Sequence, residues 1–72
     1  MLTVATTGEK VREARRRAML TQGELAEKSG VGITSIVRIE RDQLDTSPRV
    51  STLRKLAAAL DVDPRVLLAD DS

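Results

Sequence analysis

An all-α domain of five short helices is the fold class that this sequence predicts, and three observations carry the prediction. Helix-start signals recur at Thr6, Thr21, Ser47 and Asp63, each a side chain able to accept from the free amides of a first turn. Apolar residues follow at spacings of three and four, the period of a helix with one buried face. The chain has 72 residues, 40% of them hydrophobic and 32% charged, so it has the balance of a chain that folds and room for one core only.

Taken in order, Thr6-Thr7-Gly8-Glu9 has the Thr-x-x-Glu form of a capping box. A first helix should run from it to about Arg17, with Val11, Ala14 and Ala18 inward and Lys10, Arg12, Arg16 and Arg17 mostly outside. Thr21-Gln22-Gly23-Glu24 repeats the box ahead of Leu25 and Ala26, and Gly30 suits the left-handed residue that closes a second helix near Ser29. In the next segment, a rotation of about 100° per residue puts Ile36 and Ile39 on one side. Ile33, Thr34, Val37, Arg38 and Arg41 share the other side, an arc of about 140° that mixes apolar with basic side chains. Asp42 to Ser47 reads as a loop. Ser47-Pro48 then offers a cap with proline at the first helical position, and Val50, Leu53, Leu56, Ala57 and Leu60 make the most regular amphipathic stripe in the chain. Asp63-Pro64 repeats that signal before Val66, Leu67 and Leu68, a short last helix ahead of the acidic Asp70-Asp71-Ser72. The expected division is an arm over 1–6, a folded domain over 7–69 and an acidic tail over 70–72.

Composition removes whole classes of function. With no Cys and no His there is no disulfide framework, no zinc site of the usual ligands, no thiol nucleophile and no His-based triad. No apolar run approaches the roughly 20 residues that span a bilayer, and the start lacks the pattern of a signal peptide, so a cytoplasmic protein is expected. Without Phe, Trp or Tyr, bases could be stacked only on arginine planes, which counts against a single-stranded nucleic-acid binder. Residues 1–41 carry eight Lys and Arg against five Glu, whereas residues 42–72 carry four against six Asp. Anion binding is therefore expected of the first half rather than the second.

Between Gln22 and Glu40 two short helices are joined by a turn containing Gly30, with small Ala26 at the crossing and Val31, Ile36 and Ile39 beneath the second helix. That is helix-turn-helix geometry. The stretch TQGELAEKSGVGITSIVRIE closely resembles the phage-repressor and Cro-like (XRE-type) helix-turn-helix proteins, and the likeness continues through Pro48, Thr52-Leu53 and LAAALDVD to Leu67-Leu68.

The resemblance implies a compact five-helix lambda-repressor-like domain whose third helix enters the major groove of a palindromic operator, with a homodimer set across the site. It assigns base contacts to Ile33, Thr34, Val37 and Arg38, with Arg38 able to fork onto guanine and the methyls able to pack on thymine. Gln22 would bond a phosphate at the start of the second helix, and Arg41, Gln43, Ser47 and Arg49 would complete a phosphate clamp. Arg15 and Glu40 match a pair that bridges the first helix and the end of the third; the alternative is two independent surface charges. Val62, Val66, Leu67 and Leu68 are either the dimer surface or the closure of the domain's own core.

Three departures stand out. Gly32 occupies a position where relatives carry Ser or Thr, Asp42 stands where they have Gly, and the loop from Glu40 to Pro48 is about two residues longer. The function expected is a DNA-binding transcriptional regulator, with no cofactor, metal or small-molecule ligand and located with the nucleoid. The rival is a protein-interaction module, antitoxin-like or adaptor, that uses the Ile33/Val37 face. An enzyme would have only carboxylate pairs such as Asp61/Asp63 to work with, and these read better as a cap.

Overall fold

Two threonines start the first two helices. Thr6 Oγ1 accepts from the Glu9 amide at 3.1 Å, and Thr21 Oγ1 accepts from the Glu24 amide at 3.0 Å while the Glu24 carboxylate accepts from the Thr21 amide at 2.8 Å. The second box is reciprocal, and it holds the Glu24 carboxyl below the usual glutamate value, first through the Thr21 amide and then through its hydroxyl. The computed structural model describes residues 5–43 and 48–68. Among these it contains helices α1 (Thr7–Arg17), α2 (Gln22–Ser29), α3 (Ile33–Glu40) and α4 (Val50–Leu60), then a 3₁₀ turn at Pro64–Leu67, and no strand. None of the described helices is long and apolar enough to cross a membrane.

The expected last helix is thus a single 3₁₀ turn, capped by Asp63, whose carboxylate accepts from the Arg65 amide at 2.9 Å. The expected start of α4 at Pro48 is also corrected. Arg49 is extended (ψ 146°), so the helix begins after it at Val50, and Ser47, the expected cap, lies outside the described residues. Val50 consequently sits in the first turn at 62% exposure and drops out of the core stripe. Ala18 is the exposed C-cap of α1 rather than an inward residue.

Three helix ends use the left-handed conformation without glycine. Met19 (φ 60°), Asp42 (φ 55°) and Asp61 (φ 58°) follow α1, α3 and α4, whereas α2 ends on Gly30 (φ 76°). In each non-glycine case the next amide reaches back five residues: Leu20 to the Arg15 carbonyl, Gln43 to the Arg38 carbonyl and Val62 to the Ala57 carbonyl, at 3.1, 2.9 and 3.0 Å. These closures satisfy carbonyls that a helix end otherwise leaves open, and they offset a left-handed cost of about 1–2 kcal/mol.

The core joins Val11 of α1, Leu25 of α2, Ile36 and Ile39 of α3, Leu53, Leu56, Ala57, Ala59 and Leu60 of α4, and Leu67 of the 3₁₀ turn. α1 packs on α3, α2 on α3 and α4, and the 3₁₀ turn on α1 and α4. Gly8 lets α1 lie directly against the end of α3, since an added Cβ would run into the Ile39 carbonyl oxygen and lie 2.5 Å from Asp42 Oδ1. Gly23, at the same second position of α2, would meet only Ile33 Cδ1 and Thr21 Oγ1, both at 3.9 Å.

The two glycines give a matched prediction. Gly23→Ala should raise stability by about 0.5–1 kcal/mol through helix propensity, whereas Gly8→Ala should lower it by about 1–3 kcal/mol because a backbone carbonyl blocks the new methyl. Urea unfolding of both variants checks it, and equal signs would refute the close approach. The depressed Glu24 carboxyl supplies a second prediction. Its contribution is complete above the ordinary value of about 4.3 and is lost as pH falls through the lower folded value. Glu24→Gln should therefore soften the acid limb of the stability profile.

Candidate nucleic-acid interface

The turn between α2 and α3 is short because Gly30 takes the left-handed conformation and the Ser29 hydroxyl accepts from the Val31 amide at 3.1 Å. α3 then starts at Gly32, which caps without a side chain. Its eight residues divide as their spacing requires: Ile36 and Ile39 are buried in the core on the side that packs on α1 and α2, while Thr34, Ser35 and Arg38 are exposed. Ile33 is 48% exposed and Val37 half-buried, so the outward face is an apolar edge beside a hydroxyl and a guanidinium. All four residues expected to touch bases share this face. Ser35, next to Thr34 in sequence, is exposed as well and lies just beyond that arc.

What fixes this helix is a buried charge. Glu40, its last residue, has a side chain only 3% exposed, and the Arg15 side chain above it is 14% exposed. Arg15 Nε donates to Glu40 Oε2 at 2.7 Å and Nη2 to Oε1 at 2.9 Å, while Nη1 donates to the Leu20 carbonyl at 2.9 Å. Gln22 Nε2 adds a bond to Glu40 Oε1 at 3.2 Å. The hydrogen bond to Glu40 holds the Arg15 guanidinium above its usual value, against the opposing effect of burial. Arg15 and Glu40 thus form a sheltered, two-pronged pair, and among the described residues no buried side-chain polar atom is left unsatisfied.

Gln22, expected only as a phosphate contact, is therefore also part of this pin. One Nε2 proton goes to Glu40, and the amide carries a second. Arg41, Gln43 and Arg49 are exposed just beyond α3 and before α4, on the two sides of the loop. Ser47 falls outside the described residues. Asp42 accepts from Thr6 Oγ1 at 2.9 Å, so the loop leaves α3 from a point tied to the cap of α1. Of the four candidate dimer residues, Val66 and Leu68 are 49% and 48% exposed and Val62 is half-buried, but Leu67 is wholly enclosed. Leu67 is core, so a dimer surface there would have to do without it.

A prediction follows from the contrast between two arginines on α1. Arg15→Ala would strand the Glu40 carboxylate and should cost about 3–5 kcal/mol. Arg17→Ala removes only an exposed partner of Glu13 (2.6 Å, both side chains more than half exposed) and should cost about 0.5 kcal/mol or less. Chemical denaturation of the two variants measures both.

The geometry now has its counterparts. The helix-turn-helix family model HTH_3 matches residues 11–67. The chain is 38% identical over 61 residues to the HTH-type transcriptional regulator SinR of Bacillus subtilis (strain 168), across 85% of this chain and 54% of that protein. The chain spans about half the length of the curated relatives it matches. Among solved structures it is similar to SinR in complex with DNA, with a TM-score of 0.81 and 32% identity over 86% of this chain and 97% of that one. It is also similar to the P22 c2 repressor in complex with a synthetic operator, with a TM-score of 0.77 and 31% identity over 89% of this chain and 94% of that one. From Val11 at the base of α1 to Leu67 in the 3₁₀ turn, core, turn and outward helix fall within the family match, and the chain belongs to the HTH_3 helix-turn-helix family.

Proposed function

We propose that the chain is a sequence-specific regulator of transcription, a repressor, that binds double-stranded DNA by placing α3 in the major groove of a palindromic operator as a homodimer. The observation that carries this reading is the outward face of α3, where Ile33, Thr34, Val37 and Arg38 stand together on a helix pinned at its far end by Arg15 and Glu40. An α-helix fits the major groove, a planar guanidinium matches the paired acceptors of guanine, and the methyls of Ile33, Thr34 and Val37 suit thymine. The second Gln22 proton and the free amides at the start of α2 suit one phosphate, and Arg41, Gln43 and Arg49, with Ser47, suit others. The similarity to SinR and to the P22 c2 repressor, both held in complexes with DNA, supports the reading. So does the naming of the matched relatives as transcriptional regulators rather than enzymes. Such a protein works where the DNA is, at the nucleoid in the cytoplasm. Val66 and Leu68, with Val62, supply the exposed apolar edge across which two copies would meet.

Selection of bound duplexes from a random-sequence pool tests the reading directly. An enriched palindrome with half-sites about one helical turn apart is the expected outcome. Absence of duplex binding at low salt by folded protein would replace it with the protein-interaction reading, in which Ile33 and Val37 meet a protein partner. On the enriched site, Arg38→Ala should cost about 1–3 kcal/mol and relax preference at one base position. Arg49→Ala should weaken all duplexes alike and lower the salt slope by about 1.

A further inference from the structure

Three cations of α1 are used or bordered by the fold: Arg15 by Glu40, Arg17 by Glu13, and Lys10 along a groove that it lines with Ala14, Leu60 and Val66. Arg12 and Arg16 are not. Both are exposed, and neither is in an ion pair or side-chain hydrogen bond among the described residues. They lie four residues apart, one turn above the other, where like charges cost stability.

Their register says which way they face. Gly8, Arg12, Arg15 and Arg16 follow one another at the i, i+4, i+7, i+8 spacing of a single helical stripe. The stripe's first member abuts the Ile39 carbonyl and Asp42, and its third reaches Glu40 and Gln22. Arg12 is therefore bracketed by two contacts with the last turn of α3. Arg12 is exposed between those two contacts, and the exposed Arg16 follows one turn further along the same stripe. The groove with Leu60 and Val66 is on the opposite flank of α1, which keeps this pair on the α3 side of the molecule.

We propose that Arg12 and Arg16 form a second phosphate-binding site that holds the DNA backbone outside the segment read by α3, on the flank of each half-site. The proposal rests on the DNA-binding reading above and extends its footprint. The ligand is the phosphodiester backbone, and the site adds affinity without adding sequence preference, because neither side chain shares the outward face of α3.

The test compares two lengths of the selected duplex, one ending at the half-sites and one extended by about 10 bp at each end. Wild-type protein should bind the longer duplex more tightly and with a steeper dependence on salt. The double variant Arg12→Gln/Arg16→Gln should lose that advantage, with the salt slope on the long duplex falling by about 1–2, while binding to the short duplex and the preferred sequence stay as in wild type and the melting temperature does not fall. Arg17→Gln removes one charge from the other flank of the same helix and should leave the slope unchanged. An equal fall in slope for Arg17→Gln would reduce the effect to overall charge and overturn the site, as would an unchanged slope in the double variant. Failure of the parent reading is distinguishable, since wild type would then bind neither duplex, and the site would fall with it.

Discussion

A carboxylate at the end of α3 with almost no access to water is the constraint around which this domain is arranged. Apolar burial is non-directional, and here it is supplied by aliphatic side chains alone, without an aromatic ring to set a unique fit. The Arg15–Glu40 pair supplies the direction. Its guanidinium reaches both carboxylate oxygens and the Leu20 carbonyl at once, so α1, the segment leaving it and the end of α3 meet at one charge pair. Gln22 brings in the start of α2. Desolvating two charges is costly, and such a pair need not stabilise the fold relative to an apolar one. Its effect is to make any other placement of α3 leave a bare buried charge.

That arrangement explains how so short a helix can be held still. Eight residues are too few to be stable alone. α3 has no side-chain cap at Gly32, so its order comes from its buried face and from its far end. There the chain turns through left-handed Asp42, whose amide and that of Gln43 close on the Ile39 and Arg38 carbonyls, and whose carboxylate accepts from the cap of α1. The helix is tied at the end away from the α2 turn, and its outward face is left free of internal obligations.

Much of this was legible in the sequence, for identifiable reasons. Both Thr-x-x-Glu boxes and Gly30 announce themselves because their chemistry is local: a hydroxyl, a carboxylate and a residue without Cβ act within one turn. The Arg15–Glu40 pair could not be read that way, since its partners are 25 residues apart; only the likeness to a family pointed to it. The end of α1 near Arg17 was legible too, but not the way the other helices close, because Met19, Asp42 and Asp61 adopt a conformation that glycine usually signals. Ser47-Pro48 misled for the opposite reason. A local cap signal was present, but an extended Arg49 starts the helix two residues later and turns Val50 outward. Gly8 looked like any first-turn residue, and its role depends on the Ile39 carbonyl oxygen that an added Cβ would run into. Leu67 was one of three apolar neighbours in a row, and only packing against α1 and α4 decides which of them goes inside.

The same distinction between local and spatial information governs charge. A net charge of +1 argues against strong attraction to a polyanion if the charges are simply counted. The fold decides where the unpaired charges lie. Glu40, Glu13 and Asp63 are engaged by Arg15, Arg17 and Arg65, and Glu24 is turned back onto its own helix start. The Arg38, Arg41 and Arg49 side chains enter no ion pair among the described residues; Arg38 is exposed on α3, Arg41 at its end and Arg49 just ahead of α4. The field that an approaching phosphate meets is set by which charges the structure has already neutralised. Because the Arg15–Glu40 pair also holds α3 in place, an interaction that builds the domain is one that withdraws a carboxylate from the surroundings of its outward helix.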